Sequence, residues 1–117
     1  MDAPVTFVSA HLCPNGPVMR RREAAYLSVL AAAEKLKLIT GNLNSASPHD
    51  PESEDWTALA PHHRTRYLAD DMQGLDCSVL AHLESAGWVD LGHRLDKART
   101  PTVPTVAYQD AELATMR

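Results

Sequence analysis

Between Pro17 and Gly41 the chain runs without a Pro or Gly, and this uninterrupted stretch is the strongest constraint on its fold. The turn Cys13-Pro14-Asn15-Gly16-Pro17 precedes it, with Asn15 or Gly16 placed to cap a helix and Pro17 at its first position. Tyr26, Val29, Leu30, Ala33 and Leu36 recur at helical spacing and predict a buried stripe. Lys35 and Lys37 suit a helix C-terminus, and Gly41 supplies a stop. The expectation is one long helix from Pro17 to Ile39, after a short strand over Pro4–Ala10.

Composition agrees with a helix-rich chain. Ala (17) and Leu (14) dominate the apolar residues, beside 8 Val and a single Ile. Ala and Leu favour helix, whereas a large sheet needs β-branched residues. At 117 residues the chain suits one compact domain and is too short for a large α/β enzyme.

Three parts are expected within that domain: strand and long helix over 1–41, an acidic loop over 42–55, and a second half over 56–117. The loop NLNSASPHDPESED holds four acids and no Lys or Arg, and reads as exposed. Trp56–Leu59 should add a turn of helix, capped by Ser53 or Asp55. A second main helix is expected from Pro61 to Met72, ended by Gly74. A third follows, with Asp76 as N-cap and Leu75 and Leu80 placed for a hydrophobic staple. Gly87 should end it in a Schellman stop, where Leu83 and Trp88 meet. Residues 88–108 read as strand, basic turn, strand, and Asp110 can cap a last short helix.

The passage from Leu68-Ala69 through Gly74-Leu75-Asp76-Cys77-Ser78-Val79-Leu80 to Ala86-Gly87-Trp88-Val89 resembles winged helix-turn-helix proteins. HRLDKART resembles the tip of their wing hairpin, and VPTVAYQDAEL the returning strand and next helix. The resemblance spans roughly residues 57–112. It implies an α+β, helix-rich fold: a long N-terminal helix plus a winged-helix-like half with a small β-hairpin. It also implies DNA contact through the third helix and wing. However, no Lys or Arg stands between Asp76 and Gly87, although groove readers need cations for phosphates and Arg, Asn or Gln for base edges.

The net charge of −4 also disfavours a nucleic-acid partner. Local cation clusters remain. Arg20-Arg21-Arg22 sits in the first turns of the first helix, where cations oppose the helix dipole. His62, Arg64 and Arg66 open the second helix, and Arg94, Lys97 and Arg99 occupy the basic turn. These nine residues are the candidate surface for an anionic or acidic partner. Seven potential zinc ligands (His11, Cys13, His62, His63, Cys77, His82, His93) lack paired spacing, so no metal or cofactor is expected. Cys77 and His82 stand five apart, the wrong spacing to share a helix face, and Asp70-Asp71 diverge as neighbours. There is no Gly-rich phosphate loop, HExxH or GxSxG. Cys13 and Cys77 fit reduced thiols, and no run approaches a membrane span or a signal peptide, which suggests the cytoplasm.

The reading is a small non-enzymatic regulatory or inhibitory protein acting through another protein, of the type phages and mobile elements carry. The long helix would pack across the second half or form a homodimer seam. The competing reading is a winged-helix DNA-binding regulator.

Overall fold

The computed structural model describes residues 3–32, 34–49 and 60–96. Among them the order is β1 (Val5–His11), α1 (Pro17–Ser28), β2 (Leu36–Asn42), α2 (Pro61–Tyr67), α3 (Ser78–Ser85) and α4 (Leu91–Leu95). The strands β1 and β2 pair in parallel, in register from Val5 opposite Leu36 to His11 opposite Asn42. Elements β1, α1 and β2 therefore form a strand–helix–strand unit.

This corrects the expected long N-terminal helix. Helix α1 stops at Ser28, and the second half of the predicted helix is a turn followed by β2. The predicted stripe ends at Leu36, where the mostly apolar run Leu36-Lys37-Leu38-Ile39-Thr40 begins. Pairing with β1 satisfies that run's backbone while Ile39 enters the core, so the ladder overrides helix propensity. The buried face of α1 is Pro17, Arg20, Ala24 and Leu27 rather than the predicted stripe. Tyr26 and Val29 are 78% and 76% exposed. Gly41 is no helix stop. It lies in β2 with φ +133°, where a Cβ would come within 1.9 Å of the Ala10 carbonyl oxygen. Only glycine permits that approach.

The core lies between the sheet and the helices. Leu12, Ala24, Leu27, Val79 and Leu83 form its centre, flanked by Val8, Ala10, Leu30, Ile39, Leu43, Leu80 and Trp88. Helix α3 packs Val79 and Leu83 toward α1. Each such aliphatic side chain contributes roughly 1.5–3 kcal/mol by leaving water.

The second half also departs from expectation. Helix α2 ends at Tyr67 instead of Met72, and the chain turns back so that Leu68 and Leu75 form an antiparallel bridge. In that turn Met72 holds φ 58°, a costly conformation for a residue with a Cβ. Asp76 does not cap α3 through its side chain. Its carboxylate instead accepts from the Ser78 hydroxyl at 2.8 Å. The Schellman stop forms as read: Trp88 N–H donates to Leu83 O at 3.1 Å and Gly87 N–H to Glu84 O at 3.0 Å.

The expected β-hairpin is likewise corrected. Leu91–Leu95, read as its first strand and turn, is helix α4, capped by Asp90, whose carboxylate accepts from His93 N–H. Among the described residues the sheet is the parallel β1–β2 pair. The remaining half of that hairpin, the helix after Asp110, the Trp56 turn and the acidic stretch 50–55 lie outside the described residues. The start of the expected loop is packed, since Ser45, Ala46 and Ser47 are buried.

Candidate functional site

The cation clusters separate into structural and surface groups. Arg20 is 1% exposed. Its Nη1 donates to Cys13 O at 3.2 Å and its Nη2 to Arg66 O at 2.6 Å, tying the β1–α1 turn to the end of α2. Arg66 answers in the opposite direction: its Nε donates to Pro14 O at 3.1 Å and its Nη1 meets His63 Nδ1 at 3.4 Å. Burial pulls the Arg20 guanidinium below its ordinary pKa, against the opposing attraction of Asp76. Arg21 bonds Asp70 at 3.0 Å and Asp76 at 3.5 Å.

Two of the three consecutive arginines are therefore joined to the protein itself, because the buried side of α1 passes through the cluster. Arg22 remains exposed. His62 is exposed and lies 4.3 Å from the His63 ring, Arg64 is half-buried, and Arg94 is exposed on α4. Lys97 and Arg99 lie outside the described residues. Among the seven described residues of that set, Arg20, Arg21 and Arg66 are bonded to the protein itself, while Arg22, His62 and Arg94 are exposed and Arg64 is half-buried.

Histidine and cysteine side chains are also dispersed: among the described residues no group of three His, Cys, Asp or Glu is placed to hold a metal ion. Cys13 and Cys77 are both half-buried, and Cys77 Sγ donates to Ser47 O at 3.6 Å. A pair of rings does form beyond the predicted sites. His49 stacks on His93 at 3.8 Å and its Nε2 sits 2.7 Å from Glu84 Oε1, fastening the post-β2 segment to α3 and α4. Ser47 Oγ reinforces this by donating to Asp90 Oδ2 at 3.2 Å.

The larger surface features are apolar, and both involve the sheet. Side chains alternate along a strand, so Val8 and Ala10 turn to the core and Phe7 turns away from it. Phe7 is 69% exposed, Leu36 is 63%, and Val5 is also exposed. Register sets Val5 beside Leu36 and Phe7 beside Leu38 on that outer face. Beside β2 lies an apolar groove of about 720 Å³, walled by Leu80, Leu83, Trp88 and Leu91 and floored by Leu36 to Ile39. The indole Nε1 donates to Leu27 O at 3.0 Å and so fixes the Trp88 wall.

At the carboxyl ends of the strands the surface becomes polar. His11 pairs in register with Asn42, and both are exposed. Asn44 adopts φ 48° and its Nδ2 donates to Leu12 O at 2.8 Å, holding the two strand exits together.

Sequence reasoning missed the sheet surface because it assigned β2 to a helix. The available signal was the short apolar run Leu36-Lys37-Leu38-Ile39-Thr40, ended by Gly41, beside the strand-like run Val5–Ala10. Comparison of the chain with protein-family models, curated proteins and solved structures finds no match. Among the described residues no helix is long and apolar enough to cross a membrane.

Proposed function

We propose that the chain is a small non-enzymatic regulatory or inhibitory protein that works by binding another protein, and that the outer face of its β1–β2 sheet is the contact. The uncovered sheet carries this reading. Parallel sheets occur almost only with both faces covered, and two strands are few for independent stability. Here α1 lies on one side, while Phe7, Val5 and Leu36 face solvent on the other. A partner that covers them removes apolar area from water at about 25 cal/mol per Å².

The test is affinity capture from the native host under nuclease treatment, with the parent chain and Phe7→Lys compared. Phe7 is exposed, so the substitution leaves the core alone. Capture of one partner by the parent and its loss with Phe7→Lys is the expected result. Equal capture by both removes the sheet face from the mechanism.

DNA binding by a recognition helix draws little support from α3, which buries Val79 and Leu83 and has no Lys or Arg. A second reading has an observation of its own. Open α/β sheets hold ligands outside the carboxyl ends of parallel strands, where His11 and Asn42 stand side by side. A small polar ligand there would raise the melting temperature of the parent and not of His11→Ala with Asn42→Ala. Inorganic phosphate and a nucleotide panel are suitable probes.

A further inference from the structure

The turn between β1 and α1 carries the one Asn-Gly pair of the chain, Asn15-Gly16. We propose that this pair is a self-modification site, where Asn15 loses ammonia through a cyclic imide and becomes an aspartyl or isoaspartyl residue. The proposal stands apart from the protein-binding reading and does not depend on it.

The reaction needs a free side-chain amide followed by a main-chain nitrogen that can approach it. The chain has three asparagines, and the structure separates them. Asn15 is exposed, and among the described residues no hydrogen bond holds its side chain or the Gly16 N–H. Gly16 is extended, with φ 159° and ψ 154°, and has no side chain to obstruct ring closure. A Cβ placed there would meet only Thr65 O, at 4.0 Å, so the space around the pair is open. Asn42 differs: its Oδ1 accepts from the Asn44 N–H at 2.8 Å, and the bulky Leu43 that follows is packed against the core. Asn44 Nδ2 donates to Leu12 O at 2.8 Å, and the Ser45 that follows is buried.

The Gly16 nitrogen, on losing its proton, attacks Asn15 Cγ and closes a succinimide ring. The side-chain nitrogen leaves with that proton as ammonia. Water then opens either carbonyl of the ring. Attack at Cγ gives aspartate, and attack at the Asn15 main-chain carbonyl gives isoaspartate, whose main chain runs through Cβ and Cγ. No oxidant or reductant takes part.

Both products place a carboxylate just before α1, which has no acidic residue in its first turn and no side-chain cap. They differ in the length of the main chain. The turn is tied on both sides of the pair: Cys13 O accepts from Arg20 and Pro14 O from Arg66, while Pro17 is buried at the start of α1. Isoaspartate inserts an extra carbon between those ties and so loosens the clasp between α1 and α2.

Ageing the full chain in warm, mildly alkaline buffer, followed by peptide mapping with mass spectrometry, tests the site. An isoaspartyl-specific carboxyl methyltransferase is the probe for the isoaspartyl product. Asn15 should convert roughly tenfold or more faster than Asn42 or Asn44, a factor that one engaged hydrogen bond can supply. The turn peptide should accept methyl groups in the parent and not in Asn15→Gln, whose longer side chain closes a ring far more slowly. The separated isoaspartyl form should unfold at lower urea than Asn15→Asp, which carries the charge without the extra carbon.

Conversion at Asn15 no faster than at the other two asparagines would overturn the site. Aspartate at residue 15 without isoaspartate would show direct hydrolysis and overturn the imide route. An isoaspartyl form as stable as Asn15→Asp would overturn the loosening of the clasp.

Discussion

Replacing Arg20 by Met tests whether this arginine is structural. Met keeps much of the unbranched stem and removes every donor. The structure shows two charge-assisted bonds, to Cys13 O at 3.2 Å and Arg66 O at 2.6 Å. Bonds of this kind contribute roughly 1.5–3 kcal/mol each. An offset exists, because burying a guanidinium is costly and Arg20 Nε is buried without a partner. Taking the low end for both bonds gives a loss of about 3 kcal/mol. A domain of this size has a total stability of about 5–15 kcal/mol. At about 4 °C per kcal/mol the melting temperature should fall by roughly 12 °C. Urea unfolding at constant m-value measures the first quantity and calorimetry the second. Arg22→Met is the control: Arg22 is exposed, and such a change stays within about 0.5 kcal/mol. If Arg20→Met were as stable as that control, the clasp between the β1–α1 turn and α2 would contribute nothing, and the structural assignment would be wrong.

Two further substitutions test the backbone. Gly41→Ala should destabilise by roughly 3 kcal/mol or prevent folding, since φ +133° and the Ala10 carbonyl both exclude a Cβ; a soluble variant with the parent's chemical denaturation midpoint would refute the close pairing of β1 and β2. Met72→Gly should stabilise the protein by about 0.5–1 kcal/mol, because Gly accepts φ 58° without strain, partly offset by its greater unfolded-state entropy; a loss of stability in urea titration would show that the Met72 side chain contributes more than its backbone costs.

Local signals were legible where the structure obeys a local rule. Pro17 begins α1, and Gly87 with Trp88 and Leu83 ends α3, because each stop depends on a few adjacent residues. The strand around Phe7 was also readable from its β-branched and aromatic run. What failed was the continuation of α1 past Ser28. Leu36 fits both the helical stripe before it and the strand run that follows it to Thr40, and only the presence of β1 alongside decides between them. The arginine cluster failed for a related reason. Three adjacent charges look like one surface, yet successive helical positions lie about 100° apart. Arg20 therefore faces the core, Arg21 meets Asp70 and Asp76, and Arg22 faces solvent.

The sequence by itself determined the mixture of helix and strand in a small α+β chain, and Pro17 and Gly87 as helix boundaries, since capping and stop signals act over a single turn. It also determined that no metal-binding or catalytic motif of recognised spacing is present. Only the tertiary structure decided that Leu36–Asn42 is a strand, that Gly41 is required for a close backbone approach, and that Arg20 is buried. These outcomes depend on pairing and packing between segments distant in the chain. Strand pairing in particular satisfies backbone groups with a partner some thirty residues away, which no local propensity records.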